Sequence, residues 1–211
     1  MRLYLASTSP ARLTLLRSAG VHPFTIAPGV DEPATVAEAE AERGPLAAAE
    51  MVQLLARAKA EAVVGSSVDG DEIDGLILGG DSAFEVDGVV YGKPHEPSVA
   101  RQRWHAQRGR TGVLHSGHWL IDHTGGRVHG SVGAVAEASV TFADDLDDTE
   151  IDAYIATGEP LKVAGAFTID SLGAPFITRV DGDPSTVVGL SLSTLRSLVK
   201  RLGHEWTDLW G

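Results

Sequence analysis

Two long stretches of β-forming residues, 111–123 and 127–142, constrain the fold of this chain more than any other part of its sequence. They are joined through Thr124-Gly125-Gly126, which predicts a long antiparallel hairpin. Elsewhere strands and helices alternate along the chain, a pattern typical of parallel α/β sheets. The sequence therefore predicts an α/β protein whose sheet is mixed rather than purely parallel.

The other elements follow from the spacing of apolar residues and from turn residues. Strands are predicted at 2–6, 22–27, 76–80 and 163–169, and helices at 10–19, 45–63, 97–108, 147–156 and 192–202. Asp87-Gly88 predicts a two-residue hairpin turn, whereas the acidic, Gly- and Ser-rich stretch 65–75 predicts a mobile loop. No repeat or clear linker interrupts the chain, so we expect one domain over residues 1–211.

The composition excludes several classes of protein. A net charge of −12 argues against binding a nucleic-acid polymer, although a few converging cations could still bind a small phosphorylated ligand. The chain has no cysteine, so it can form neither disulfides nor thiolate metal sites. It has neither the roughly 20 unbroken apolar residues of a membrane span nor a secretory signal. We therefore expect a cytoplasmic protein without a membrane partner.

The turn after the first strand is a candidate phosphate site. Ser7, Thr8 and Ser9 precede a helix that opens at Pro10 and carries Arg12 in its first turn. A lone cation is unfavourable at the electropositive end of a helix, unless something negative lies beside it. Hydroxyls, free backbone N–H groups and an arginine could together bind phosphate. Alternatively, Ser9 simply caps the helix and Arg12 lies in solvent.

A second candidate is Gly79-Gly80-Asp81-Ser82, whose two glycines end the apolar strand predicted at 76–80. A carboxylate at the carboxyl end of a buried strand points into the crevice where α/β sheets bind ligands. The glycines could let a substrate or a metal approach the backbone closely. Asp81 could then bind a divalent cation or orient a water as a general base, or it could be an ordinary turn residue.

Further charged residues lie in positions that could complete such a site. Lys93 follows the predicted hairpin and returns towards the edge where Asp81 lies, and Lys59 lies late on the preceding helix. Alone, Lys59 would be expected in solvent. Asp31 and Glu32 follow the second strand and offer oxygen ligands, although adjacent acids in a loop are commonly just exposed.

The histidines do not suggest a metal site. His115 and His118 are three residues apart on a predicted strand, which places them on opposite faces. That arrangement is poor geometry for zinc, so we do not expect a structural metal there.

Several motifs occur together and in order, which is more specific than any one of them. They are LASTSPARLTLL, Val30-Asp31-Glu32, Ala58-Lys59-Ala60, GGDS followed by GKP, GRT, TGEP with KVAGAF, and DGDPSTVVGLSL. This set closely resembles the Maf family of nucleotide pyrophosphatases, from residue 3 to about residue 202. The SPAR form of the first motif is similar to that of actinobacterial members.

The resemblance implies hydrolysis of nucleoside triphosphates to monophosphate and pyrophosphate with a divalent cation, Mg²⁺ or Mn²⁺. It also implies an elongated mixed sheet flanked by helices, two lobes around a central cleft, and commonly a homodimer. Nucleotide-pool sanitation and division arrest are the roles that it suggests.

Carried over by position, the family's motifs assign a role to each candidate residue. Asp81 matches the proton acceptor, and Asp81 and Glu32 match carboxylates at the metal. The matches to the groups that contact the substrate are Ser7, Arg12, Lys59 and Lys93.

The sequence departs from the commoner family pattern at a few positions. Ala11 stands where many members have a second arginine, which should weaken phosphate binding unless another cation, such as Lys162 or Arg179, compensates. Gly112 stands where a histidine often follows GRT, and Asp170 stands where one branch, linked with uridine and thymidine nucleotides, carries glutamine. The segment Ser116-Gly117-His118 replaces a Thr-Gly-Val type segment. These changes leave the base preference open.

Two rival functions remain open from the sequence. One is a catalytically weak nucleotide-binding regulator of septum formation, although the retention of Asp81, Lys59 and Lys93 favours an enzyme. The other is the structurally similar inosine-triphosphate pyrophosphatase type, which the SPAR and DPSTVVGLSL signatures fit poorly.

Overall fold

A computed structural model describes residues 1–211, the whole chain. The strands are β1 (Leu3–Ala6), β2 (Phe24–Ile26), β3 (Ser67–Val68), β4 (Asp71–Glu72), β5 (Gly75–Val86), β6 (Val89–Tyr91), β7 (Thr111–His123), β8 (Gly130–Phe142) and β9 (Ile177–Gly182). The helices are α1 (Pro10–Ser18), α2 (Glu32–Arg43), α3 (Ala48–Ala62), α4 (Pro97–Gln107), α5 (Asp148–Ala156), α6 (Pro184–Val188) and α7 (Leu192–Arg201). No helix is long and apolar enough to cross a bilayer.

Seven strands form one mixed sheet, which confirms the predicted fold class. Their order is β2-β1-β5-β7-β8-β9, and β6 also pairs with β5. The chain forms two compact units. Unit 1 comprises Met1–Asp81, Ser116–Ala136 and Gly189–Gly211, and unit 2 comprises Ser82–His115 and Glu137–Val188. Strands β5, β7 and β8 contribute residues to both units.

In unit 1, strands β1 and β5 are buried on both faces. Strand β1 pairs in parallel with β2 and with β5, in a register that sets Ala6 opposite Ile26 and Gly79. Successive strand residues point to opposite faces. Leu5 and Leu78 therefore pack with the residues of α1 and α7, whereas Ile77 packs with the residues of α3. Two covered faces explain why these strands are continuous apolar runs.

Helix α3 approaches the sheet so closely that two strand positions have to be glycine. A Cβ at Gly79 on β5 would lie 2.0 Å from the carbonyl oxygen of Ala56, and one at Gly117 on β7 would lie 2.3 Å from that of Val52. Val52 and Ala56 are one turn apart on α3, so the helix backbone itself rests on both strands. The two glycines thus fix the height and the direction of α3.

Unit 2 is built around aromatic rings. Phe84, Phe142 and Phe167 contact one another edge to face, and Trp104 of α4 contacts Phe142 in the same way. The indole N–H of Trp104 donates a 2.9 Å hydrogen bond to the carbonyl of Ala166. The segment around Ala166, a short 3₁₀ turn (Ala164–Ala166) outside the sheet, is therefore held by a core residue.

Several sequence predictions are confirmed and three are wrong. The hairpin at Asp87-Gly88 is present, and both residues have positive φ (52° and 77°) as that turn requires. The stretch 65–75 is not a plain loop, because β3 and β4 form a short antiparallel hairpin. The predicted strand at 163–169 is absent, since positive φ angles at Gly165 and Ala166 turn the chain.

The third error concerns the strand predicted to end at Gly80, since β5 continues to Val86. Two elements went unpredicted. Helix α2 carries a largely polar sequence, and β9 has few apolar residues to mark it.

A buried carboxylate ties the end of β7 to the C-terminal segment. Asp122 Oδ2 lies 2.8 Å from His204 Nε2, and Asp122 Oδ1 accepts hydrogen bonds from the Thr124 backbone (3.0 Å) and hydroxyl (2.7 Å). Burial by itself raises the pKa of Asp122, but the hydrogen bonds from His204 and Thr124 outweigh it and hold this pKa below its ordinary value.

Asp122→Asn should therefore destabilise the protein in a pH-dependent way. A lowered carboxyl pKa contributes stability that is fully present above the unfolded pKa of about 3.9 and is lost as the pH falls through the folded value. Urea unfolding should show a deficit for Asp122→Asn at pH 5 and above that shrinks below about pH 4. The exposed Asp145, changed to Asn, is the matched control. A deficit that is unchanged down to the acid limit of folding would contradict the assignment.

Gly117→Ala should destabilise unit 1, because the added methyl would overlap the backbone of α3, which cannot move away as a side chain could. We expect a loss of about 2–3 kcal/mol in the free energy of unfolding, measured by urea denaturation. Gly92→Ala is the control, since a Cβ there meets no atom within 4 Å. Equal stability of Gly117→Ala and wild type would show that α3 does not rest on this strand.

Candidate active site

Three parallel strands of unit 1 bring candidate residues to the same part of the sheet, where β1 and β2 end and β5 runs on beyond them. β1 ends at Ala6 and is followed by Ser7, β2 leads to α2 and Glu32, and β5 carries Asp81 two residues beyond the partner of Ala6. Carboxyl ends of parallel strands are where α/β sheets place ligand-binding groups. Register and topology thus bring together residues that are up to 74 positions apart in the printed sequence.

Arg12 is buried, which contradicts the alternative that it lies in solvent. Its exposed fraction is 8%, its Nε donates a 2.8 Å hydrogen bond to the carbonyl of Gly189, and its Nη1 donates to Ser7 Oγ at 3.2 Å. Ser9 makes no side-chain cap; its backbone N–H instead donates to Ser7 Oγ at 3.2 Å. Ser7 therefore joins the start of α1 to the guanidinium.

Lys59 is the second buried cation, and it lies between two carboxylates. Its Nζ is 2.7 Å from Asp81 Oδ1 and 2.7 Å from Glu32 Oε1. The Lys59 side chain is 9% exposed and that of Asp81 13%, whereas Glu32 is 48% exposed. Lys59 reaches Asp81 because the close contact of α3 with Gly79 brings this face of the helix onto β5.

Burial perturbs two of these charged groups. It raises the pKa of the Asp81 carboxyl, and the charges of Lys59 and Arg12 partly offset that rise. It also lowers the pKa of the Arg12 guanidinium, against the opposing fields of Asp81 and Glu32. Arginine nevertheless stays protonated in proteins. The site therefore holds opposite charges in a poorly hydrated setting, where electrostatic interactions are strong.

Two glycines of the second motif have different roles. Gly79 was expected to let a ligand approach, but its open side is filled by the backbone of α3. A Cβ at Gly80 would lie 3.3 Å from Arg12 Nε, so this position leaves space for the guanidinium. The motif Gly79-Gly80-Asp81 thus lets a helix and an arginine close around Asp81.

Glu32 and Asp81 are the side chains that could hold a divalent cation here. No group of three or more histidine, aspartate or glutamate side chains is arranged to hold a metal ion. Mg²⁺ is commonly held by one or two carboxylates together with substrate phosphates and water. Glu32 and Asp81, which both contact the Lys59 ammonium, provide that number of carboxylates. Asp31, in contrast, caps α2, since its Oδ1 accepts the Ala34 N–H at 3.1 Å.

Lys93 belongs to unit 2, where it lies exposed after β6. The carbonyl of Gly92 accepts a hydrogen bond from Arg103 Nη1, and the N–H of His95 donates to the carbonyl of Leu161 at 3.1 Å. The Arg103 guanidinium also lies over the Tyr91 ring. The segment that carries Lys93 is thus fastened on both sides, although it is neither helix nor strand.

Several further residues considered in the sequence analysis divide between the two units. In unit 2, Arg179 is exposed and pairs with Asp181 at 2.9 Å, and Lys162 ends a 3₁₀ turn. A Cβ at Gly112 would lie 2.3 Å from the Phe84 ring, so no side chain fits there. His115 Nδ1 lies 3.2 Å from Glu137 Oε1.

In unit 1, the residue concerned is His118. His118 is fully buried and its Nε2 accepts the backbone N–H of Ser191 at 2.9 Å. Sequence reasoning missed Gly117, Gly189 and His118 as parts of the site's surroundings. A lone glycine inside the strand pattern at 117 was the one available signal for a close backbone approach.

The sequence profile described as "Maf-like protein" matches residues 2–202. The chain is 70% identical over 210 residues to a protein of Leifsonia xyli subsp. xyli named nucleoside triphosphate pyrophosphatase, covering 100% of this chain and 97% of that protein. Proteins of the same name from Salinispora tropica and Corynebacterium jeikeium are 49% and 46% identical, each across 100% of this chain and across 88% and 100% of their own lengths. The chain belongs to the Maf-like protein family.

Proposed function

We propose that this protein hydrolyses nucleoside triphosphates to the monophosphate and pyrophosphate. The observation that carries the proposal is the pair of buried cations, Arg12 and Lys59, beside Asp81 at the carboxyl edge of the sheet. Buried cations need counter-ions, and one of the two carboxylates that supply them, Glu32, is half exposed and can give way to a phosphate. The shared name of relatives up to 70% identical supports the same reaction.

In this proposal Arg12, Lys59 and Lys93 bind the triphosphate, and the Ser7 hydroxyl contacts it beside Arg12. Asp81 is the catalytic residue. It orients a water and accepts its proton while the water oxygen attacks the α-phosphorus in line. The bond from the α-phosphorus to the bridging oxygen breaks, and its electron pair leaves with pyrophosphate. Negative charge grows on that leaving group, and fixed cations in a poorly hydrated site stabilise it.

A divalent cation, Mg²⁺ or Mn²⁺, belongs to the proposal, with Glu32 and Asp81 as its protein ligands. When bound, it would offset the charge of the phosphates. Glu32 is suited to move from Lys59 to the cation because it is half exposed, so it can leave Lys59 without a large rearrangement.

We further propose that residues 1–211 act as one domain in a cytoplasmic homodimer. Its role would be nucleotide-pool sanitation, with or without a part in division arrest. Standard and modified nucleotides are both candidate substrates, and Asp170 is a position at which the base preference could differ from that of relatives.

The proposal is tested with a panel of standard and modified nucleoside triphosphates, each with Mg²⁺ or Mn²⁺. We expect release of pyrophosphate and monophosphate from at least one substrate, and loss of that release in excess chelator. Release of inorganic phosphate instead would overturn the assigned bond. Binding of nucleotide without turnover at high enzyme concentration would favour the regulator.

Asp81→Asn should keep the shape of the site but lose the proton acceptor. We expect kcat at saturating substrate and cation to fall about 100-fold or more, because general-base catalysis contributes about 10²–10⁴-fold. The control is Asp145→Asn, an exposed carboxylate of unit 2, which should retain wild-type kcat. Near-normal turnover of Asp81→Asn would remove Asp81 from the reaction.

A further inference from the structure

His118 and the phosphate-binding arginine of the proposed function are joined by a short run of main chain. His118 Nε2 accepts the N–H of Ser191, and two residues earlier the carbonyl of Gly189 accepts Arg12 Nε at 2.8 Å. Both contacts are buried: the exposed fraction is 0% for His118 and Ser191 and 8% for Arg12. All four residues belong to unit 1.

The segment between these two contacts has little freedom. Gly189 has φ +116°, which side chains rarely adopt, and Leu190 is fully buried in the core. Ser191 begins α7 as its N-cap, with its Oγ accepting the Thr194 N–H at 3.1 Å. The backbone N–H of an N-cap lies outside the hydrogen-bonding pattern of its helix, so an outside acceptor is needed when it is buried. His118 provides that acceptor.

The direction of the Gly189 carbonyl matters because a guanidinium is planar and rigid. Fixing Nε on one oxygen sets the plane of the group and the direction in which both Nη nitrogens point. Since the Ser191 N–H can only donate, His118 Nε2 is the acceptor atom of this contact. The imidazole therefore helps to fix the segment that carries the Gly189 carbonyl.

His118 also holds the helix that carries the second cation. Its carbonyl accepts the side-chain amide of Gln53 on α3 at 3.1 Å, and the preceding Gly117 underlies the Val52 carbonyl. Two neighbouring residues of β7 therefore contact α3 through their backbone and the start of α7 through the imidazole.

We propose that His118 is a positioning residue for the triphosphate site, acting on Arg12 through Ser191 and Gly189. It does not touch the substrate. The proposal rests on the assignment of Arg12 to phosphate binding, and it predicts that losing the imidazole acceptor weakens phosphate binding through Arg12 alone.

The test is the affinity for inorganic pyrophosphate with Mg²⁺, measured by calorimetry, together with KM and kcat. His118→Leu fills similar space without an acceptor and should weaken pyrophosphate binding about tenfold, by analogy with the loss of affinity when a hydrogen-bond partner of a metal ligand is removed. KM should rise with it, whereas simple loss of folded protein would lower apparent kcat at constant KM. His118→Gln, whose amide oxygen can accept the Ser191 N–H, should recover most of the affinity.

The matched control is His123→Gln and His123→Leu on the same strand, where a buried imidazole contacts the Ile73 carbonyl at 2.9 Å. These variants should leave pyrophosphate affinity unchanged. If His118→Leu does not fold, His118→Asn replaces it, because its amide is one carbon too short to reach Ser191.

The same His118 variants in an Arg12→Met background test whether His118 acts through Arg12. There, the change at His118 should have no further effect on pyrophosphate affinity, because the group through which it acts is gone. An equal loss in both backgrounds, or unchanged affinity of His118→Leu in the wild-type background, would overturn the proposal. A wild-type protein that binds pyrophosphate through this pair but cleaves no triphosphate would sink the proposed function and leave the positioning role standing.

Discussion

The contact of one helix backbone with two strands is the constraint on which the site depends. Because Gly79 and Gly117 have no side chain, α3 lies directly on β5 and β7, and Lys59 reaches Asp81 from a helix that would otherwise stand a side chain's width away. Interiors are packed too densely for such a distance to adjust freely. The glycines therefore determine the ion pair, although neither carries any chemistry.

The arginine at the start of α1 has an explanation in the same edge of the sheet. A cation there opposes the helix dipole and is also buried. Its stabilisation comes from outside the helix: the Gly189 carbonyl, the Ser7 hydroxyl, and the fields of Asp81 and Glu32. A buried cation at a helix N-terminus is locally unfavourable, and proteins place residues in such unfavourable positions mainly at functional sites. The position of Arg12 is therefore consistent with a functional role.

Much of the fold could be predicted from the sequence, and the reasons are local. The hairpin at Asp87-Gly88 and the long strands at β7 and β8 have strong periodic or turn signals. The segment around Gly165 could not be predicted, because its apolar run serves the core of unit 2 while its backbone turns. Helix α2 is largely polar, so its helical period carried no hydrophobic signal.

The candidate site, like the fold, could be predicted only in part. Motif order selected Ser7, Arg12, Glu32, Lys59 and Asp81, and the structure places these five in unit 1. Gly189 and His118, which hold them, lie in segments noted in the sequence (DGDPSTVVGLSL and Ser116-Gly117-His118), but their contacts could not be predicted. Every residue has a main-chain carbonyl, and the sequence does not show which group a buried histidine will contact. Long-range register, rather than composition, decides which of these groups meet.

The triangle of Lys59, Asp81 and Glu32 gives the substrate-free protein its own counter-ions. Formally, the charges of Arg12 and Lys59 equal those of the two carboxylates, so the chain can fold without waiting for an anion to neutralise it. In the proposed reaction the ammonium can exchange the half-exposed carboxylate of Glu32 for a phosphate oxygen while Asp81 remains in place. Substrate binding would then replace one anion by another at Lys59, rather than bring an anion to cations that have no counter-ion.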